Sequence, residues 1–328
     1  MKTQRIGIIG LQRWGASAGL AIKQSGLDLT VIGHDRDRAS MKQAQEIGAI
    51  DKSYTSVANL ISDADILILA EPFAELEDTM KIVGKNVNAH AVVIDFSPLK
   101  KPVQKWADDY LRQGHYVALM PIPRADAAHD NRLTIEAAAA DMFHDSVVCL
   151  MPSPKVDEDA VETATNVARV LGCSPFFVDI GEYDAYMQAL ETLPSLMGAA
   201  YFRSLTRSTG WRDMVRFAST SFAQATAPLE KQADIAHFAF DNKIATLRWI
   251  DSLIQDLVEI RRWINDGELE TLAALMDELN LQREKWLHER RENNWQEATT
   301  PKVDTPNFMQ QMIGTGLFNR RKKDDKKS

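Results

Sequence analysis

The sequence has few cysteines, no long apolar run and no excess of basic residues. Cys149 and Cys173 are the only cysteines among 328 residues, and neither belongs to a CxxC motif or a Cys/His cluster, so we expect two buried thiols in a reducing compartment and no metal site. No apolar run approaches the roughly 20 residues of a membrane span, and no signal-peptide core follows Met1. The formal net charge of −8 argues against binding nucleic acid through its phosphates. The sequence therefore predicts a cytoplasmic protein without membrane or nucleic-acid partners.

The first half of the chain alternates short apolar runs with amphipathic stretches. Such runs, rich in β-branched residues, are typical of strands covered on both faces, and their alternation with helices predicts a doubly wound, mostly parallel sheet. The predicted strands are Ile6–Ile9, Leu29–Ile32, Ile66–Ala70, Val92–Asp95, Val117–Met120, Val147–Met151 and Phe176–Val178. A helix capped by Asp157 and ended by Gly172 precedes the last of them. We expect this α/β domain to span residues 1–180.

The second half is predicted to be entirely helical. Apolar residues recur at helical spacing from Ile244 to Ile264, Gly267 interrupts them, and a second stripe begins at Leu269, which predicts a helical hairpin. Helices this apolar in a small domain commonly bury one face against a second subunit, so we expect residues 181–298 to form a homodimer. Residues 299–328 are polar and end in mixed basic and acidic residues, which predicts a flexible basic tail.

A glycine-containing turn near the start of the chain predicts a dinucleotide site. The first predicted strand runs into Gly10, a helix pattern begins near Gly15, and Asp35 ends the second strand twenty positions later. In a Rossmann-type domain, phosphates lie at the start of this helix and the acid binds the adenosine ribose. The predicted cofactor-binding residues here are Gly10, Leu11, Gln12, Arg13, Trp14, Gly15 and Asp35.

Gln12 occupies the position of the middle glycine, which normally lets the backbone approach the pyrophosphate closely. Its side chain and that of Arg13 either donate hydrogen bonds to the phosphates or weaken cofactor binding, and the sequence leaves both possibilities open. Asp35 favours NAD, because a carboxylate repels a 2′-phosphate. Arg36 follows it directly and would suit that phosphate, so NADP remains an alternative.

Over nearly its whole length the chain resembles the prephenate/arogenate dehydrogenases of tyrosine biosynthesis. The similar stretches are Val31–Asp37, Ile47–Asp51, Ala64–Pro72, Asp95–Lys100 with Pro102-Val103, Asp184 with Leu193-Pro194, and Gly210–Ser219. The resemblance implies an oxidoreductase that transfers a hydride from the ring alcohol of prephenate or arogenate to NAD(P), with decarboxylation. It also implies that Arg216 binds a substrate carboxylate. Ala70, Glu71, Pro72 and Ser97 follow predicted strands, where open α/β sheets bind ligands, so we expect them to line the cofactor site.

Several positions depart from the family pattern. The family's catalytic histidine is replaced by Met120, its His-Asp pair appears as Tyr183-Asp184, and its Ser-His-Leu-Pro-His appears as Glu191–Ser195. Methionine cannot accept a proton, so we expect either a rebuilt site or a lost activity. In a rebuilt site, Ser97 and Glu191 are the candidate catalytic residues and Tyr183 binds substrate. The alternatives are a binding or regulatory protein without turnover, or a dehydrogenase for a different carboxylic acid.

Overall fold

A computed structural model describes residues 4–127, 130, 132–231 and 234–294. The predicted basic tail, 299–328, lies outside these residues. Eight strands form one sheet in the order β3-β2-β1-β4-β5-β6-β7-β8. The strands are β1 (Gln4–Ile9), β2 (Leu29–His34), β3 (Lys52–Ser53), β4 (Ile66–Leu69), β5 (Val92–Asp95), β6 (His115–Pro121), β7 (Ser146–Met151) and β8 (Cys173–Phe177).

The helices cover both faces of the sheet and then continue as a helical region. They are α1 (Arg13–Gln24), α2 (Arg38–Glu46), α3 (Val57–Asp63), α4 (Phe73–Asn86), α5 (Lys101–Tyr110), α6 (Glu158–Val170), α7 (Ile180–Met187), α8 (Leu193–Thr206), α9 (Trp211–Met214), α10 (Thr220–Thr226), α11 (Ile235–Asp241), α12 (Lys243–Asp266) and α13 (Leu269–Glu292). A π-helical segment, Gln188–Thr192, joins α7 to α8. The predicted Rossmann-type sheet followed by helices is confirmed.

The sheet is parallel except where β6 pairs with β7. Every residue of β4 and β5 is buried, because helices cover both faces of these central strands. The chain runs outward from β1 to β3 on one side and from β4 to β8 on the other. The strand order therefore reverses between β1 and β4, and a crevice for ligands is expected at their carboxyl ends.

The last two helices lie at the positions in the chain where the helical hairpin was predicted. α12 and α13 are joined by Gly267 and Glu268, and Gly267 takes φ +75°, the left-handed conformation that ends a helix without a Cβ penalty. The domain boundary predicted after residue 180 falls at the first residue of α7, Ile180, and stays a prediction. Within the described ranges, no helix combines the length and apolar character needed to cross a membrane.

The helical region contacts the sheet domain through polar and aromatic residues. Asp184 of α7 accepts hydrogen bonds from the backbone N–H groups of Lys100 and Lys101, at 2.8 and 2.9 Å. Phe73 of α4 meets Phe238 of α11 edge-on, with ring centroids 5.1 Å apart. These contacts bring α7 and the π-helical segment beside the carboxyl ends of β5 and β6.

Candidate functional site

The turn between β1 and α1 requires both of its glycines. Gly10 has φ +89°, and a Cβ there would lie 2.6 Å from the backbone of Ala70 and Glu71. A Cβ on Gly15 would lie 1.9 Å from the carbonyl oxygen of Gly10. The first turn therefore closes tightly on itself and on the end of β4, and only glycine allows both approaches. This is the strand-turn-helix geometry that the sequence predicted for a dinucleotide site.

Gln12 does not require glycine's freedom in this turn. Its φ is −73° and its ψ is −167°, an extended conformation open to any residue. The side-chain Nε2 donates to the Ser40 hydroxyl at 2.8 Å, so the amide is turned toward the start of α2. Of the two possibilities left open by the sequence, a hydrogen bond from Gln12 to a phosphate would require the amide to leave Ser40.

Arg13 is buried, and a distant loop holds its guanidinium. The loop carbonyls of Ala127 and Arg132 accept from it at 2.9 and 3.1 Å, and that of Asp130 accepts a further bond. The Arg13 backbone N–H, the first of α1, donates to the carbonyl of Leu133 at 3.0 Å. A pyrophosphate that used this N–H would have to displace the Leu133 carbonyl. The Arg13 backbone N–H and the two terminal nitrogens of its guanidinium thus have protein partners, whereas its Nε is buried without a hydrogen-bond partner among the described residues.

Asp35 lies just after β2 and ties the end of that strand to the turn. Its Oδ2 accepts from the Leu11 N–H at 2.7 Å, and its Oδ1 accepts from the Asp37 N–H at 2.9 Å. A carboxylate oxygen accepts more than one hydrogen bond, so Asp35 keeps acceptor capacity for a ribose hydroxyl. The glycine turn and Asp35 fit the adenosine half of a dinucleotide.

The segment after β4, Ala70–Pro72, borders the same crevice. Burial raises the pKa of the Glu71 carboxyl to about 7, against an opposing hydrogen bond from Thr79. Its Oε1 is buried and makes no hydrogen bond within the described part of the chain. The charges of Asp35, Arg36 and Glu75 act on this carboxyl. An ionisable group with a raised pKa thus lies beside the predicted adenosine site.

A buried ionic network lies beneath the crevice, at the end of β5. The Lys100 ammonium is 2.8 Å from the Asp95 carboxylate and also donates to the carbonyls of Asp95 and Leu119. The Tyr116 hydroxyl donates to the other Asp95 oxygen at 2.6 Å. Burial lowers the pKa of Lys100, and Asp95 opposes that shift. The sequence analysis noted this segment without finding the ion pair.

Ser97, a predicted catalytic and cofactor residue, belongs to this buried network. Its hydroxyl hydrogen-bonds the Asp95 carboxylate and the Leu99 carbonyl, and its backbone N–H donates to Asp95 at 3.0 Å. The side chain is 3% exposed. In this conformation Ser97 orients Asp95 and is covered by protein.

Met120 lies near the carboxyl end of β6, in a buried apolar cluster that also contains Tyr183 and Met187. It pairs across the sheet with Cys149, a thiol whose pKa is raised to about 11 by burial. The Tyr183 hydroxyl is buried and makes no hydrogen bond among the described residues, and burial raises its pKa well above the ordinary value. The position of the expected imidazole is thus apolar, with one unsatisfied phenol nearby.

Gln188 and Arg290 are two nearby polar residues that the sequence analysis missed. The Oε1 of buried Gln188 accepts from the Thr246 hydroxyl at 2.9 Å, while its Nε2 is buried with no hydrogen-bond partner in the residues that the structure describes. Arg290, near the end of α13, donates to the Pro123 carbonyl at 3.2 Å. Partial burial lowers the pKa of Arg290, and the charge of Glu191 opposes this. No local motif marks either residue, because both reach the site from separate helices.

Glu191 and Arg216 lie in different surroundings in the structure. Glu191 lies in the π-helical segment, and π-helical turns are frequent at functional sites. The charge of Glu191 acts to raise the pKa of both Tyr183 and Arg290. Arg216 is 76% exposed and forms an ion pair with Asp213, at 3.7 Å. Among the described residues, no hydrogen bond or ion pair joins Arg216 to the carboxyl edge of the sheet. Glu191 is also exposed, but its charge reaches Tyr183 and Arg290, whereas Arg216 lies on the surface of the helical region.

Comparisons with known proteins agree with this architecture. The family model described as "Prephenate dehydrogenase, nucleotide-binding domain" matches residues 18–174, beginning after the glycine turn. A curated prephenate dehydrogenase of Bacillus subtilis is 24% identical over 274 residues, which are 81% of this chain and 71% of the relative.

Two solved structures share the fold. A prephenate dehydrogenase from Aquifex aeolicus, in complex with hydroxyphenyl propionate and NAD+, has a TM-score of 0.77 at 20% identity and covers 87% of this chain and 99% of its own. A Synechocystis arogenate dehydrogenase has a TM-score of 0.69 at 19% identity, over 86% of this chain and 100% of its own. At these identities the two structures show a shared fold.

Proposed function

We propose that this chain, which belongs to the prephenate dehydrogenase family, is an NAD-dependent oxidoreductase acting on prephenate or arogenate. The observation that carries the proposal is the closed turn of Gly10 and Gly15 beside Asp35, at the point where the strand order reverses. This turn is the part of the fold that binds a dinucleotide. The family match supplies the class of substrate.

The cofactor half of the site is proposed from the residues around this turn. Asp35 accepts from the adenosine ribose, and the segment Leu11–Trp14 borders the pyrophosphate. Ala70–Pro72 line the crevice past β4, whereas Ser97 past β5 would have to leave its hydrogen bond to Asp95 to contact the cofactor. Bound NAD supplies the acceptor for the hydride. The protein's part is to hold the dinucleotide in the crevice and to exclude water from it.

The substrate half is proposed at the carboxyl end of β6. Hydride leaves the ring carbon of the substrate, one carboxylate leaves as carbon dioxide, and the ring oxygen ends as a phenol, so the overall reaction releases no proton. A group that accepts the hydrogen bond of the ring alcohol during hydride transfer can therefore suffice. The buried Tyr183 hydroxyl has no hydrogen-bond partner within the described part of the chain and is proposed for this contact. Glu191 is the nearby candidate for proton transfer, and Ser97 remains the alternative.

A substrate carboxylate requires a cation. Arg216 is proposed by its match to the family motif, although it is exposed in the single chain. Arg290 is the cation that the described contacts bring beside β6 and Glu191. A guanidinium binds a carboxylate through two parallel hydrogen bonds, which suits either residue. The two assignments make different predictions under mutation.

The test is the formation of NADH by purified protein mixed with NAD and either prephenate or arogenate. Arg216→Ala should raise the KM for substrate about tenfold or more, since a hydrogen bond to a charged group contributes about 1.5–3 kcal/mol. Arg207→Ala, an exposed arginine at the end of α8, is the matched control and should leave KM unchanged. A protein that binds NAD but forms no NADH with either substrate would exclude this function.

A second candidate is a binding protein on the same scaffold. Two observations favour it. Met120 places an apolar side chain at the position of the family's catalytic histidine. The first N–H of α1 already donates a hydrogen bond to the Leu133 carbonyl, which would compete with a pyrophosphate. It predicts weak dinucleotide binding and no turnover with any hydroxy acid. A dehydrogenase for another carboxylic acid would instead bind NAD tightly and reduce it with a different member of a substrate panel.

We also propose that the protein is a homodimer in the cytoplasm. α12 carries exposed apolar residues at helical spacing, among them Ile254 at 51% and Leu257 at 55% exposure. Exposed apolar faces of this kind usually mark an interface, and a second copy of the chain is the proposed partner. The free thiols of Cys149 and Cys173 suit a reducing compartment.

A further inference from the structure

Arg36, the residue that would suit a 2′-phosphate, is bound to a glutamate in this structure. It follows Asp35 directly after β2, and its Nε lies 3.0 Å from Oε2 of Glu75. Glu75 belongs to the first turn of α4, where its N–H donates to the Pro72 carbonyl at 2.9 Å and fixes the backbone. The helix dipole also favours a carboxylate at this position. The pair therefore bridges the ends of β2 and β4, across the proposed adenosine site.

Three carboxyl groups surround the single guanidinium at this place. Asp35 precedes Arg36 in the chain, and Glu75 forms an ion pair with Arg36. The charges of these three residues all shift the pKa of the Glu71 carboxyl. An NADP 2′-phosphate brings about two further negative charges, and a phosphate monoester of this kind requires an unengaged cation. The carboxylates of Asp35 and Glu75 repel that phosphate, and Glu75 engages the Nε of the exposed guanidinium that would attract it.

We propose that Glu75 is a cofactor-specificity residue, which excludes NADP by sequestering Arg36. The inference rests on the proposed dinucleotide site and deepens it: the adenosine pocket takes an unphosphorylated ribose. Asp35 repels the 2′-phosphate directly, whereas Glu75 acts through Arg36. The two effects are separable, because only the second depends on the presence of the arginine.

The experiment measures binding of NAD and NADP by calorimetry, with no substrate present. The wild-type protein should bind NAD at least about tenfold more tightly than NADP, a difference of about 1.4 kcal/mol. Glu75→Ala should strengthen NADP binding by about five- to tenfold and leave NAD binding within about twofold. Glu46→Ala is the matched control, since Glu46 also forms an exposed ion pair, with Lys42, but lies at the far end of α2. It should change neither affinity.

A double-mutant cycle separates sequestration from simple repulsion. Arg36→Gln alone should change NADP affinity by less than about twofold, because the arginine is already engaged. In the Glu75→Ala background, the same change should remove the gain in NADP affinity. An equal gain with and without Arg36 would reduce the role of Glu75 to long-range repulsion and overturn the proposal, as would a wild-type protein that prefers NADP. Absence of binding to either coenzyme would overturn the proposed function and this inference together, whereas NAD binding with no effect of Glu75→Ala would overturn the inference alone.

Discussion

The Lys100 ammonium lies 2.8 Å from the Asp95 carboxylate, and neither side chain is exposed to solvent. Asp95 ends β5 and Lys100 precedes α5, so the pair closes the loop that borders the proposed cofactor crevice. Tyr116 and Ser97 donate further hydrogen bonds to the same carboxylate. A buried charge satisfied by this many partners is costly to leave unpaired.

Lys100→Met should therefore destabilise the protein strongly. The substitution keeps much of the side-chain volume but leaves Asp95 as an uncompensated buried charge, at an expected cost of about 3–5 kcal/mol in the free energy of unfolding. Urea unfolding followed by circular dichroism measures this cost. The double variant Asp95→Asn with Lys100→Met should recover part of the loss. Lys105→Met, which breaks an exposed pair with Asp109, should change stability little; equal losses in both single variants would contradict the importance of burial.

Gln12→Gly should leave NAD binding almost unchanged. The Gln12 backbone does not require glycine, and its side chain is already turned toward Ser40, so its removal clears little space around the phosphates. We expect the dissociation constant, measured by calorimetry, to stay within about threefold of the wild-type value, which is under 1 kcal/mol.

Gly15→Ala provides the contrast in the same turn. Its Cβ would lie 1.9 Å from the Gly10 carbonyl oxygen, so the turn must open, and NAD binding should fall by about tenfold or more. A large gain in affinity from Gln12→Gly would instead show that the glutamine obstructs the cofactor.

Met120→His should increase the rate of NADH formation. It supplies an imidazole at the carboxyl end of β6, in an apolar cluster where the Tyr183 hydroxyl has no hydrogen-bond partner among the described residues. General acid–base catalysis contributes roughly 100- to 10,000-fold in well-placed sites, so an imperfectly placed imidazole should give about 10- to 100-fold in kcat. Met120→Leu is the control for altered packing and should not accelerate the reaction. A rate that falls or stays constant in Met120→His would argue that this position does not face the reacting alcohol.

The sheet could be predicted from the sequence because its strands are short, apolar and separated by helical patterns. The antiparallel pairing of β6 with β7 could not, since periodicity reports which face is buried and carries no pairing direction. β3 was missed because it has two residues, Lys52 and Ser53, too few for a pattern.

The candidate site was predictable only where the chemistry is local. Gly10 and Asp35 follow from the strand-turn-helix spacing, and the structure brings them to one turn. The partners of Arg13 lie more than 110 residues away along the chain, so no local reading could show that the guanidinium binds loop carbonyls. Lys100 was missed for a related reason: the burial of a lysine depends on a carboxylate that folding brings beside it.

Glu71→Gln should stabilise the protein at neutral and alkaline pH. In the folded protein the carboxyl keeps its proton up to about pH 7, whereas in the unfolded chain it ionises near 4.5. The folded state thus binds more protons in this interval, and wild-type stability falls as the pH rises from about 4.5 to 7. The glutamine lacks this penalty, so the variant should be more stable by roughly 2–3 kcal/mol at pH 8 and about equal at pH 4. Denaturant unfolding at the two pH values measures the difference; a gain that is the same at both would exclude the titration of Glu71 as its cause.

Ile254→Asp should dissociate the proposed homodimer. Ile254, Leu257 and Val258 share one face of α12, and all three are more than half exposed in the single chain. A second copy that covers this face would bury those side chains, and a carboxylate among them would lose its hydration without a partner. Sedimentation velocity should show a dimer for the wild-type protein and a monomer for the variant. Gln255→Asp introduces the same carboxylate about 100° away around the helix and should leave the dimer intact. A wild-type monomer, or equal dissociation by both variants, would rule out this face as the subunit interface.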